Sequence, residues 1–209
     1  MVGLGVYLLP ERHENAVVWD RMISKQKDLR LQSLQLSPDS FSSTYDREAQ
    51  FSRSEWKARL QNPKAFTFIA HKNLETPSMD VANATDMVQE SWVGMAVLIG
   101  PLNSSSISEV LDDEFAKEGV LEFLQFEICG LFVLPDARRA GLGKALIRAA
   151  IAHAVHLACE KDVDEVCVGM AVTAGNMNVM GLYKSMGFVV AKGTATETEV
   201  QMVLRKTVH

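Results

Sequence analysis

The chain has 209 residues, 47% of them hydrophobic, and a net charge of −5 at pH 7. That length and apolar content suit one globular domain over residues 1–209 that needs no disulfide or metal to fold. The negative charge argues against a nucleic-acid partner. Cys129, Cys159 and Cys167 are odd in number and widely spaced, each in an apolar stretch. They read as reduced core thiols of a cytosolic-type compartment. No C-x-x-C or His/Cys cluster has metal-ligand spacing, so no metal site is expected. The start, "MVGLGVYLLPER", lacks a positive n-region and a cleavage site. The longest apolar runs fall short of a membrane span. The expectation is a cytoplasmic protein with no membrane partner.

Taken in order, "VGLGVYLLP" reads as a first strand. From Asn15 to about Leu36 the spacing predicts a helix. Val18, Met22, Leu29 and Leu36 lie on its apolar stripe, with Lys25, Lys27 and Arg30 outside it. Pro38 ends that helix in the turn-rich "SPDSFSSTYD". Ser54 is the expected N-cap of a short helix, "EWKARL", that stops near Pro63. "AFTFIAH" and "SWVGMAVLIG" read as strands, separated by a polar insertion at 73–91. A second, acidic insertion is expected at 101–122. "FLQFEICGLFVL" is a strong central strand. Gly141 to about Glu160 is a helix, apolar on most of its circumference and therefore buried. A strand "DEVCVGMAV", a helix from Asn176 to Met186, a strand "GFVVAK" and a last strand "EVQMVLRK" complete the chain.

The order β-α-α-β-β-β-α-β-α-β-β has a run of three strands, which implies antiparallel pairing. It then has a β-α-β unit, which implies a parallel crossover. The expected fold class is α/β in the α+β sense: a mixed, mostly antiparallel central sheet of about seven strands flanked by helices. It is not a doubly wound dinucleotide fold.

One junction stands out. In "FVLPDARRAGLGKAL" a strand runs into a basic glycine turn and then a helix. Such a turn gathers backbone N–H groups at the positive end of a helix dipole. Gly141 and Gly143 have no Cβ and admit close approach. Arg138, Arg139 and Lys144 add positive charge. These parts suit a pyrophosphate, although a bare G-x-G serves equally as a structural turn. A Walker A loop is excluded because Ala145 follows Lys144. A Rossmann turn is excluded because Leu146 stands at its third glycine.

The stretch from Val133 to Gly143 fits V-x-P-x-x-R-x-x-G-x-G, and this resembles the acetyl-CoA loop of the GNAT superfamily of N-acyltransferases. "NMNVMGLYKSMGF" is similar to that superfamily's second signature, N-x-x-A-x-x-L-Y-x-x-x-G-F. Asn176, Leu182, Tyr183, Gly187 and Phe188 match it, and Val179 replaces the usual alanine. The strand order agrees as well, so the resemblance covers nearly the whole chain apart from the two insertions.

The resemblance implies an acetyl-CoA-dependent N-acetyltransferase with acetyl-CoA as co-substrate. The pantetheine arm would pair with the backbone of Leu131, Phe132 and Val133, much as an added strand does. A backbone N–H near Val133 would serve the oxyanion. Gly130 would mark a bulge, or simply close packing. The pyrophosphate would sit on N–H groups from Arg138, Arg139, Ala140, Gly141, Leu142, Gly143 and Lys144. Arg138 holds the signature arginine position, whereas Arg139 stands where many relatives carry glycine. Asn176 would contact the coenzyme or act as a plain helix N-cap. Tyr183 is the candidate general acid for the leaving thiolate, against the reading of a core tyrosine. Glu127 is the candidate general base, against a strand-edge glutamate in solvent or an ordered-water base. Glu122 is a poorer alternative. His153 and His156 read as surface or packing residues. A covalent route through Cys129 has no histidine nearby in sequence to activate it.

The expected acceptor is a small-molecule amine, attacking directly in a ternary complex. A protein or peptide amine remains open, as does a non-catalytic coenzyme-binding module. The acidic second insertion would attract cationic acceptors or serve as a solvated loop. A homodimer is compatible with the resemblance.

Overall fold

The computed structural model describes residues 5–71, 88–102 and 123–208. Seven strands form one sheet in the order β1-β2-β3-β4-β5-β7-β6. They are β1 Gly5–Leu8, β2 Ala65–His71, β3 Trp92–Leu102, β4 Phe123–Val133, β5 Glu165–Thr173, β6 Val189–Val190 and β7 Glu199–Thr207. β1 pairs antiparallel with β2, and β7 antiparallel with both β5 and β6. β4 and β5 are parallel. A helix joins those two, as a parallel crossover requires. The helices are α1 Ala16–Leu36, α2 Tyr45–Ala49, α3 Arg53–Leu60, α4 Leu142–Glu160 and α5 Met177–Lys184. The expected sheet and element order are those observed, with the short α2 added inside the turn-rich segment. The two expected insertions lie outside the described residues, apart from 88–91 and 101–102. Pro101 and Leu102 belong to β3 rather than to an insertion.

The described chain divides into two compact units. One is Met1–Val97 with Gly130–Ala149; the other is Leu98–Cys129 with Ala150–His209. In the first, α1 starts at Asn15, whose Oδ1 accepts from Val17 N (2.9 Å) and Val18 N (3.2 Å). Its buried stripe is Val18, Trp19, Met22, Ile23, Leu29 and Leu34, with Gln26 and Ser33 among them. Each fully buried Met or Ile contributes about 1.5–3 kcal/mol relative to exposure. Leu36 is off that stripe and 53% exposed, because the helix ends there. The N-cap of α3 is Ser52, not Ser54. Ser52 N donates to Glu55 Oε2 (2.6 Å) and Glu55 N to Ser52 Oγ (3.3 Å), a reciprocal capping box. Only a residue three before a glutamate can close that pair, so Ser54 cannot.

Glu48 ties these helices together. Arg30 donates twice to its carboxylate (3.0 and 2.8 Å), and Arg59 Nη1 donates at 2.9 Å. Arg30 was expected outside the apolar stripe, and its side chain is nevertheless only 12% exposed, drawn in by Glu48. Arg30 also lies over the Phe41 ring, and Arg59 over Phe51 and Trp56. Burial alone would raise the Glu48 carboxyl. Hydrogen bonds from Arg30 and Ser43 and the charges of Arg30 and Arg59 outweigh burial and hold it at about 2, below its ordinary 4.5.

In the second unit, Cys167, Ala191, Val203 and Phe123 pack together. The three cysteines are free, but only Cys167 is in the core; Cys159, near the end of α4, is exposed. The expected strand "GFVVAK" shrinks to two residues. Gly187 N donates to Lys184 O and Phe188 N to Tyr183 O, both at 3.1 Å, so Gly187 and Phe188 belong to the exit of α5. By length and composition α4 could cross a bilayer, which the sequence expectation of no such run overlooked. Its Leu146, Ile147, Ala150, Ile151, Ala154 and Ala158 are buried within the protein.

Glu48→Ala is expected to cost roughly 3–5 kcal/mol in urea unfolding, because two arginines lose their shared partner. The pH dependence follows from the lowered carboxyl. The wild-type advantage is whole above about 4.5 and drains as pH falls toward 2. A variant-to-wild-type gap that stays constant across that window would contradict this assignment.

Candidate active site

The junction between β4 and α4 is built from the residues of the basic glycine turn. Leu134 N donates to Val93 O at 2.8 Å, which seats the end of β4 on β3. Pro135–Ala137 form a 3-10 turn. Arg139 then takes φ +64 and Gly141 φ +84. These two left-handed residues turn the chain, and Ala145 N closes the first helical bond on Gly141 O at 3.0 Å. The N–H groups of Leu142, Gly143 and Lys144 precede that bond, so the helix itself gives them no partner. This donor set, with a positive dipole end and basic side chains, fits a pyrophosphate. Arg139, Ala140 and Gly141 are exposed, Leu142 is buried, and Gly143 and Lys144 are half-buried.

Arg138 faces elsewhere. Its Nε donates to Val133 O at 2.9 Å, its Nη2 reaches Ser37 Oγ at 3.4 Å, and its guanidinium lies 5.8 Å from the Phe132 ring. It braces the turn against β4. Of the strand segment Leu131–Val133, one carbonyl is therefore already shared. Gly130 has φ +62, and a Cβ there would meet only Val97 Cγ2 at 3.9 Å. The glycine is required by backbone conformation, as at a bulge, and not by close packing.

The second unit holds Asn176, Tyr183 and Glu127. Asn176 Oδ1 accepts from Val179 N at 3.3 Å, so this side chain caps α5. Tyr183 is 6% exposed and packs 6.0 Å from the Phe188 ring. Burial pushes its phenol up to about 12. Glu127 is half-buried at the last parallel pair, opposite Gly169; β4 and β5 both run on beyond that pair. Burial first, and the Glu199 charge second, raise its carboxyl above the ordinary carboxylate range. His156 is exposed, 3.5 Å from Glu160, and His153 is half-buried beside it.

The model of the "Acetyltransferase (GNAT) family" matches residues 81–188. The chain belongs to the GNAT acetyltransferase family. Among curated proteins, none matches this GNAT chain. Solved structures share its fold. Arabidopsis thaliana NAA60 in complex with acetyl-CoA aligns with a TM-score of 0.57 at 16% identity, over 97% of this chain and 98% of that one. A GNAT-family acetyltransferase from Streptococcus pneumoniae gives 0.57 at 13%, over 99% and 100%. Spermidine N-acetyltransferase from Vibrio cholerae, in complex with CoA and spermine, gives 0.52 at 12%, over 97% and 95%. At these identities the likeness shows the GNAT fold: a mixed seven-stranded sheet with flanking helices.

Sequence reasoning missed two supports of this GNAT site. A Cβ on Gly94 would fall 3.0 Å from Phe132 O and 3.2 Å from both Val133 Cγ2 and Leu146 Cδ1, so β4 and α4 close down on a bare backbone. An isolated glycine inside a strand pattern was the available signal. The other is Glu199, whose charge reaches Glu127 from β7; no local motif marks it. The left-handed Arg139 gives a test of the turn. Arg139→Gly should leave thermal stability within about 1 kcal/mol of wild type, since relief of strain offsets added chain entropy. Arg139→Val should lose roughly 1–2 kcal/mol, because a β-branched residue resists that φ. Equal losses for both would contradict the turn geometry.

Proposed function

We propose that this GNAT chain transfers an acetyl group from acetyl-CoA to a primary amine. The observation that carries the reading is the turn itself. Arg139 and Gly141, both left-handed, deliver the N–H groups of Leu142, Gly143 and Lys144 as a donor set suited to a pyrophosphate. Acetyl-CoA, when bound, supplies the activated thioester carbonyl. Leu131, Phe132 and Val133 offer backbone groups for the pantetheine amides. Asn176 spends its Oδ1 on the helix cap, which leaves its amide Nδ2 as the donor for a coenzyme contact.

Glu127 accepts a proton from the incoming ammonium, which frees the nitrogen lone pair. A carboxyl raised by burial is a stronger base than a solvated one. Tyr183 is neutral at physiological pH, as an ordinary phenol already is, and burial, which pushes it to about 12, holds that proton more tightly. It keeps an O–H to donate to the departing thiolate. Both groups belong to the second compact unit. With the amine attacking directly, no acetyl-enzyme forms.

A thiol-release assay with acetyl-CoA against amines, polyamines, amino acids and short peptides tests the reading, with mass spectrometry of the product. Transfer to free amines but not to peptides is expected. Transfer confined to peptides would move the acceptor to a protein class. Binding of acetyl-CoA without any transfer would leave a binding module.

Two outcomes test the roles. Tyr183→Phe should lower kcat by about 10- to 100-fold with little change in coenzyme affinity. In wild type, kcat/KM should fall on the acid side through a limb lying above the ordinary carboxylate value of 4.5, because Glu127 must be deprotonated to act. Glu127→Gln should remove that limb and lower the plateau. A limb that survives the substitution assigns the base to another group.

A further inference from the structure

One face of the second unit carries a charge pattern that protein stability does not account for. Side chains alternate across a strand, so Gln125 and Glu127 on β4 share a face. Parallel register sets them beside Cys167 and Gly169 of β5. Antiparallel register continues that row to Arg205 and Val203 of β7. Two same-face steps further along β5 stands Thr173, opposite Glu199. The face therefore has carboxylates at Glu127, Glu165 and Glu199. Glu165 is ion-paired with Arg205. Among the described residues, Glu127 and Glu199 have no cationic partner, and the Glu199 charge adds to the burial that raises the Glu127 carboxyl.

Between these two carboxylates the floor is low. Gly169 has no side chain, and Ala171 is small and exposed. Gln201 Nε2 donates to Glu199 Oε1 at 2.7 Å and fixes that carboxylate. An independent observation lies beside Glu127. Gln125 is 2% exposed, and among the described residues neither its Oε1 nor its Nε2 has a hydrogen-bond partner. An amide left so costs on the order of 1–3 kcal/mol for each polar group. A cation donating N–H groups over Gly169 would satisfy Gln125 Oε1 and neutralise Glu127 together.

We propose that this face selects an acceptor amine bearing a second positive charge, the reacting nitrogen at Glu127 and the distal ammonium at Glu199. The proposal rests on the acetyltransferase reading and names its substrate class: an aliphatic diamine or polyamine. Glu199 is then a specificity residue, and Gln125 Oε1 helps place the reacting ammonium. A singly charged amine fills only half of the arrangement.

Calorimetric titration in the presence of unacetylated coenzyme A tests this without turnover. Putrescine, cadaverine and spermidine are compared with butylamine on wild type, Glu199→Gln and Glu199→Asp. At least one of the multiply charged amines should bind wild type about tenfold tighter than butylamine, and raised salt should shrink the difference. Glu199→Gln should reduce the ratio to about twofold or less, and Glu199→Asp should keep most of it. A merely structural role for Glu199 would weaken all amines alike and leave the ratio intact. That result, or equal binding of all amines by wild type, overturns the proposal. Acetyl transfer is measured separately. Transfer to butylamine as readily as to the diamines would sink this inference and spare the enzyme reading. A preference in binding without transfer to any amine would sink the enzyme reading and spare the charge selection.

Discussion

A single backbone hydrogen bond, Ala145 N to Gly141 O, decides where α4 begins. The whole basic glycine turn depends on that start. Two left-handed residues must precede it to bring the chain out of β4 and into the helix axis. Once they do, the unpaired N–H groups of the first turn face one way, and the positive end of the dipole coincides with them. Arg138 holds the geometry by bonding back to Val133 O, and Gly94 lets β4 and α4 settle onto β3. The loop is thus a product of packing beneath it as much as of its own glycines.

The two side chains proposed to handle protons are tuned by a different means. Tyr183 and Glu127 are shifted in the same direction, chiefly by burial, and the consequences are opposite. Burial holds the phenol's proton more tightly, so the O–H can donate a hydrogen bond but gives the proton up less readily. It makes the carboxylate reluctant to stay charged and so more ready to take a proton. Glu48 shows what happens when burial comes with partners. Two arginines reverse the sign and lock the group as an anion. The contrast separates a carboxylate held as an anion by its partners from one that burial leaves ready to take a proton.

Local signals made much of this legible. The Asn15 cap, Pro38, the alternation in "AFTFIAH" and the two linked motifs placed nearly every element within a residue or two. The failures have physical causes. Ser54 lost to Ser52 because a capping box depends on a partner three residues on. Arg30 was placed outside the apolar stripe, and its burial was not foreseen because its partner Glu48 lies on another helix. The first residues of "GFVVAK", Gly187 and Phe188, were claimed by the exit of α5, and Lys192 by a turn. Within the site, the motif residues were visible, but the direction of Arg138 was not, since it depends on Ser37 and Phe132 from elsewhere in the fold. Glu199 was invisible for the same reason: only strand register brings β7 into line with β4.

The borders of the sheet carry a consequence of their own. β3 and β4 have 11 residues each, β5 and β7 nine, yet the border strands are four-residue β1 and two-residue β6. Long exposed borders recruit strands from other molecules. At the β6 border the cover is short: β6 pairs only with Val203 and Met202 of nine-residue β7, and Val189 and Val190 are both exposed. Among the described strands, the rest of β7's outer side has no strand neighbour beyond the Ala191 N to Gln201 O bond, so this border is where strand addition at high concentration would begin.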